Sequence, residues 1–301
     1  MRTVLVRLGV AAGSIGVMLT VTACGSGGGA VTGGTGPRVV VTTSILGDVV
    51  RNLVGGAADV QVVMPPGSNP HDFAPSARQA AELRDADVVV INGLGFESAL
   101  LDTVRAAKHD GATVVTAADG VDVLGRDPHF FTDPVRMRAA TAHLAERLAE
   151  EVPGLDSPAY RGRVATYLGQ LDALDREVGQ ILQAVPPDRR TLVTNHEVFA
   201  YFADRYGFRV LGTVIPSGTT LAEPSASGMR HLADEIAAAG VPAIFAETSS
   251  PARLADALAA EGHDVAVVEL YSESLGEPGS DGATYLEMLR TDAERIAAAL
   301  G

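Results

Sequence analysis

The segment from Tyr160 to Val185 reads YRGRVATYLGQLDALDREVGQILQAV. Its apolar residues fall at Tyr160, Val164, Tyr167, Leu168, Leu171, Leu174, Val178, Ile181, Leu182 and Val185. Spacings of three and four along the whole stretch put them on one face of a helix. About 26 residues at a 1.5 Å rise would run roughly 39 Å, more than the width of a small domain. Pro186-Pro187 closes it, since proline lacks the N–H that a helix interior requires. No heptad pattern is sustained, which disfavours a two-stranded coiled coil. A rigid connector between two lobes is the natural use of such a helix.

The sequence on either side supports that division. Before the helix, β-branched runs at Arg38 to Thr43, Val60 to Met64, Asp87 to Ile91 and Thr113 to Thr116 alternate with helical segments. After it, runs at Thr191 to Thr194, Arg209 to Val214, Ala243 to Ala246 and Val265 to Glu269 repeat the pattern, and Thr284 to Leu300 forms a last helix. Helices are also expected over Ile45–Val54, Ser76–Arg84, Asp133–Leu148 and Asn195–Tyr206. Alternating strands and helices predict mostly parallel sheets covered on both faces. The predicted fold class is therefore α/β, with two such lobes, residues 38–156 and 187–301, joined by a linking helix over 157–186. Ligands of open α/β sheets bind beyond the carboxyl ends of the strands, so the loops that follow strands are where chemistry is sought.

Three of those loops carry a histidine. His71 lies in Asn69-Pro70-His71-Asp72-Phe73-Ala74-Pro75-Ser76, and His129 in Asp127-Pro128-His129-Phe130-Phe131-Thr132-Asp133-Pro134. His196 lies in Thr194-Asn195-His196-Glu197-Val198-Phe199, expected at the first turn of a helix. A fourth donor is Asp281, in Gly279-Ser280-Asp281-Gly282, and Glu247 at a strand end is a further carboxylate, either beside the site or completing the shell in place of Asp281. Four such donors converging on one ion make a borderline-soft shell suited to Zn(II). His109, His143, His231 and His263 fall in polar helical or connecting stretches and read as surface. Two motifs fail. Asn92-Gly93-Leu94-Gly95-Phe96-Glu97-Ser98 lacks the third glycine of a dinucleotide fingerprint, and His196-Glu197-Val198-Phe199-Ala200 has alanine where a zinc protease needs histidine.

Composition narrows the partners. The chain has 301 residues, 47% of them apolar, with a formal charge of −14. Such a chain can build a core; with no basic excess, a nucleic-acid partner is excluded. Arg2 and Arg7 precede an apolar run from Leu8 to Val21, too short to span a bilayer, which ends in Val21-Thr22-Ala23-Cys24. Residues 1–23 read as a bacterial lipoprotein signal, with Cys24 as the acylated residue and residues 24–37, rich in Gly, Ser and Thr, as a flexible tether. Cys24 is the only cysteine, so neither an intrachain disulfide nor a thiolate metal site is available.

Taken in order, N-P-H-D-F-A-P-S, D-P-H-F-F-T-D-P, T-N-H-E-V-F-A-Y-F and P-G-S-D-G-A-T-Y-L resemble the metal-binding solute-binding lipoproteins that serve zinc and manganese ABC importers. The resemblance covers about Arg38 to Leu300. It implies two α/β lobes bridged by a rigid helix, with His71 and His129 from the first lobe and His196 and Asp281 from the second. Manganese-type relatives tend to carry glutamate at the third position, so His196 favours Zn(II), with Mn(II) or Fe(II) as alternatives. No long His/Asp-rich loop precedes His129, unlike some zinc relatives. The implied role is capture of the ion at the outer face of the bacterial cytoplasmic membrane by a lipid-anchored monomer. Delivery is to a membrane permease driven by a cytoplasmic ATPase. A zinc hydrolase is the rival of another class; four converging donors leave no open position for it. A surface adhesin finds no support in these residues.

Overall fold

The computed structural model describes residues 36–261 and 265–301. The signal, Cys24, nearly all of the tether and His263 lie outside the described residues. Each half of the described chain builds a four-stranded parallel sheet. In the first, β1 (Arg38–Val41), β2 (Asp59–Val62), β3 (Val88–Ile91) and β4 (Thr113–Thr116) lie in the order β2-β1-β3-β4. In the second, β5 (Thr191–Thr194), β6 (Arg209–Thr213), β7 (Ala243–Glu247) and β8 (Ala266–Leu270) repeat it as β6-β5-β7-β8. The strand order reverses between β1 and β3 and again between β5 and β7. Each reversal opens a crevice at the carboxyl ends of the strands.

The β-strand period of two distributes the core. Val39 and Val41 face a central cluster, whereas Val40 faces an outer one with Leu83, Val89 and Leu100. In the second sheet Leu192 and Phe245 face the centre, and Val193 and Ile244 join an outer cluster with Leu232 and Leu258. Burial on both faces explains why the strands read as continuous apolar runs.

The central cluster belongs to both halves. It is organised on α5 (Pro158–Ile181), which buries Tyr160, Tyr167, Leu171, Leu174 and Val178. Around it pack α1 (Ser44–Val54), α4 (Pro134–Glu151) and α9 (Tyr285–Leu300). Ser157 caps α5 by accepting from Tyr160 N, with Pro158 at the first helical position. The predicted 26-residue helix is α5 followed by a 3-10 turn over Leu182–Ala184.

Polar contacts tie the halves across this core. Tyr285 Oη donates to Phe131 O at 2.8 Å, and Tyr201 Oη donates to Asp127 O at 2.8 Å. The remaining helices are α2 (Ala77–Arg84), α3 (Leu101–His109), α6 (Ala200–Tyr206), α7 (Ala226–Ala239) and α8 (Arg253–Glu261). Two differ from expectation. Helix α3 has no counterpart in the sequence pattern, and α6 starts five residues later than its apolar pattern suggests. After β5 the backbone continues to pair, Val214 N with Thr194 O at 3.0 Å and Ile215 N with Asn195 O at 2.8 Å. Residues 195–199 therefore form an extended turn, and His196 sits on it instead of on a helix.

Candidate metal centre

The three loop histidines meet. His71 follows β2, His129 follows β4 and His196 follows β5; their ring centroids lie 5.3 to 6.0 Å apart. All three side chains are buried, with His129 and His196 fully so. The carboxylate among them belongs to Glu273, three residues beyond the end of β8. Its Oε1 lies 2.7 Å from His71 Nε2, 3.3 Å from His129 Nε2 and 3.2 Å from His196 Nε2. One ligand atom from each of these four residues falls within 4.8 Å of every other. Donors bonded at about 2.0 Å to a tetrahedral ion stand roughly 3.3 Å apart, which matches two of the three separations. His71 Nε2 stands closer, in hydrogen-bond contact with the same oxygen.

Two of the imidazoles are oriented by a carboxylate behind them. Asp127 Oδ1 accepts from His129 N at 2.9 Å and from His129 Nδ1 at 2.7 Å, turning Nε2 inward. His196 Nδ1 donates to Glu247 at the end of β7, with the same effect. The His71 loop is shaped by Asn69, whose Oδ1 accepts from His71 N at 3.0 Å and whose Nδ2 reaches Thr220 Oγ1 in the other half at 2.8 Å. Carboxylates behind metal-facing histidines fix the tautomer and raise the basicity of the inward nitrogen. Phe96 closes one side of the cluster, its ring edge-on at 5.5 Å from His71 and 5.6 Å from His129.

Burial and charge compete at this centre. Burial alone would lower the imidazole pKa values, but Glu247 and Glu273 outweigh it and push His196 up to about 10. His129 is raised likewise, against its burial, by Asp127 and Glu273. Burial would raise Glu273, yet the three imidazoles hold it well below the usual carboxylate range. His129 Nε2, His196 Nε2 and Glu273 Oε2 are buried with no hydrogen-bond partner among the described residues. Orphaned buried polar atoms are uncommon in folded proteins, and here the two imidazole nitrogens stand within 3.3 Å of the same carboxylate oxygen, Glu273 Oε1. Three imidazoles and a carboxylate suit a divalent cation.

Asp281 is not among these donors. Its side chain is 57% exposed, and its carboxylate accepts from Tyr271 Oη at 2.6 Å and Arg295 Nη2 at 2.8 Å, which hold its pKa low. The Gly279–Gly282 loop is pinned on the ring of Tyr271, so close that a Cβ on Gly282 would stand 2.4 Å from it. That packing keeps Asp281 on the outer side of Tyr271. Glu247 lies behind His196, on the ring nitrogen that faces away from Glu273. Glu273 follows a strand like the others but has no local signal, because Tyr271-Ser272-Glu273-Ser274 carries no histidine, proline or glycine to mark it. Of the other histidines, His109 and His231 are exposed, at 89% and 75%, and His143 is partly buried.

The surroundings of this site agree with what the chain is similar to. The model of the family described as "Zinc-uptake complex component A periplasmic", ZnuA, matches residues 39–299. The zinc-binding protein TroA of Treponema pallidum is 34% identical over 277 residues, covering 88% of this chain and 89% of the relative. The manganese-binding lipoprotein MntA of Halalkalibacterium halodurans is 27% identical, covering 89% of each. The solved structure of the periplasmic zinc-binding protein TroA from Treponema pallidum superposes with a TM-score of 0.82 at 32% identity, covering 88% of this chain and 99% of that one. With two parallel-sheet lobes, a buried donor cluster between them and a family match over nearly all of the described residues, the chain belongs to the ZnuA family of periplasmic zinc-uptake components.

Proposed function

We propose that this protein is the extracytoplasmic receptor of a metal ABC importer. It captures Zn(II) on His71, His129, His196 and Glu273 and passes it to a membrane permease coupled to a cytoplasmic ATPase. The observation that carries the reading is the convergence from both halves of four buried ligand residues, with His129 Nε2 and His196 Nε2 lacking a hydrogen-bond partner among the described residues. Three neutral imidazoles and one carboxylate complete a tetrahedral zinc shell and leave no position for a reacting water, which separates a receptor from a hydrolase. Residues 1–23 serve as a lipoprotein signal and Cys24 carries the anchor at the outer face of the cytoplasmic membrane, in keeping with the lipoprotein name of the manganese relative. Among the described residues no helix is long and apolar enough to cross a membrane. The receptor works as a monomer, with lobes at 38–156 and 187–301.

Manganese is the second reading, for a specific reason. Glu273 Oε2 is free, so the carboxylate has a second oxygen with which to raise the coordination number toward what harder ions prefer. Native mass spectrometry of the full chain in detergent, stripped of metal and offered equal zinc and manganese, decides between them. One bound zinc, lost in His71→Ala and His196→Ala, is the expected result. Retention of manganese against zinc would overturn the ion, because the usual affinity order runs the other way. Absence of stoichiometric metal would overturn the receptor itself.

A further inference from the structure

A cavity of about 790 Å³ lies beside the donor cluster, far larger than a bare divalent ion needs. His71 forms part of its wall, and so do Asp127 and Pro128, which precede His129, and Thr194 and Val198, which flank His196. It therefore reaches the cluster from the side on which loops of both sheets face each other. Two further charged residues line it, Glu197 and Arg126, both exposed. Glu197 also borders an adjoining cavity of about 330 Å³, so it stands where the two spaces meet. Its backbone is fixed by the bond from Glu197 N to Ser217 O at 3.0 Å. Among the described residues neither the Glu197 carboxylate nor the Arg126 guanidinium has an ion-pair partner. Two unneutralised charges of opposite sign thus line the approach to orphaned buried nitrogens.

From this arrangement, and resting on the receptor reading above, we infer that the ion reaches the cluster through this cavity with Glu197 as its staging carboxylate, while Arg126 on the same wall opposes it. The bound ion is held by the four buried donors, and Glu197 acts on the passage. A charged group lining a low-dielectric cleft concentrates oppositely charged ligand and raises the association rate. Its removal slows arrival and departure together, because it stabilises the passing ion more than the seated one. Arg126 acts in the opposite sense by the same argument. A residue that merely supported the loop would not yield opposite signs from two neutral substitutions.

The test is stopped-flow mixing of zinc with the full chain in detergent, alongside equilibrium competition. For Glu197→Gln the association rate at low salt falls about 3- to 10-fold, the dissociation rate falls with it, and Kd stays within about threefold. For Arg126→Gln the association rate rises. Both differences shrink near 1 M salt, where the screening length is only about 3 Å. Unchanged rates in both variants, or slowing in both, would overturn the route. A change in Kd carried by dissociation alone would place Glu197 with the ligands and overturn the staging role. If the unmodified chain binds no zinc, the receptor reading fails first, and that result is distinct from the others.

Discussion

Glu273 and Asp281 sit eight residues apart, yet only one of them shares a site with the histidines. Glu273 is fully buried against three imidazoles, whereas Asp281 is bound to Tyr271 and Arg295 near the surface. Replacing Glu273 with alanine is expected to weaken zinc binding by more than about 100-fold, beyond what loss of a residue behind a ligand costs. Asp281→Asn is expected to change it by less than about threefold, because a largely exposed ion pair is worth little. Competition titration against a chromophoric chelator measures both, and equal losses would put Asp281 back at the metal. Asp292 offers a test of a different kind. Its carboxylate is buried, accepts from Tyr271 N at 2.9 Å and leaves Oδ2 without a partner. Burial, opposed only partly by that bond and by Arg295, raises its pKa well above the ordinary 3.8. The folded state thus holds this proton more tightly than the unfolded one. The destabilisation by the ionised group is full above the raised folded pKa and disappears as pH falls toward 3.8. Asp292→Asn is expected to raise stability by about 1–3 kcal/mol at pH 8, with the gain fading toward pH 4. Denaturant melts at the two pH values check the sign, and a larger gain at pH 4 would refute it.

At the scale of elements, the carboxyl ends of β2, β4, β5, β7 and β8 supply the four donors and the carboxylates behind His129 and His196. Helix α5 contributes none of them, and its role is to hold the two sheets in a fixed relation. Leu171, midway along it, is fully buried in the core that the halves share. Leu171→Ala is expected to cost about 2–5 kcal/mol and to lower zinc affinity as well, since His71 and His196 follow strands of different sheets and meet only if the sheets keep their relation. Calorimetry and zinc titration on one sample test this; a loss of stability with undisturbed affinity would show that the sheets keep their relation without α5. The extended turn over 195–199 shows how tertiary pairing overrides a local helical pattern. Backbone bonds to the segment after β6 take the residues that periodicity assigns to α6.

The whole molecule couples the site to stability. The donors come from both sheets, so a bound ion crosslinks them, and any ligand of the folded state alone stabilises it. At a free zinc concentration about a thousandfold above Kd the gain is roughly 4 kcal/mol, which for a chain of this size raises Tm by about 10 °C. Differential scanning fluorimetry with and without chelator measures the shift, and an unchanged Tm with saturating zinc would contradict a site shared by the two halves. The continuous core on α5 also restricts wide opening, because separating the sheets would expose Tyr167, Leu174 and Phe245.

The two-lobe α/β plan, the linking helix and the three histidines that the structure brings together were legible in the chain itself. Periodicity reports burial directly, and prolines and turn residues mark the loops on which His71 and His129 stand. A family resemblance carried by ordered motifs added the metal. Only the tertiary structure separated Glu273 from Asp281, placed Glu247 and Asp127 behind their histidines, and delayed α6. Those outcomes depend on which loop packs on the ring of Tyr271 and which backbone groups find partners across strands. Both are contacts between residues distant in sequence, and local pattern carries no record of them.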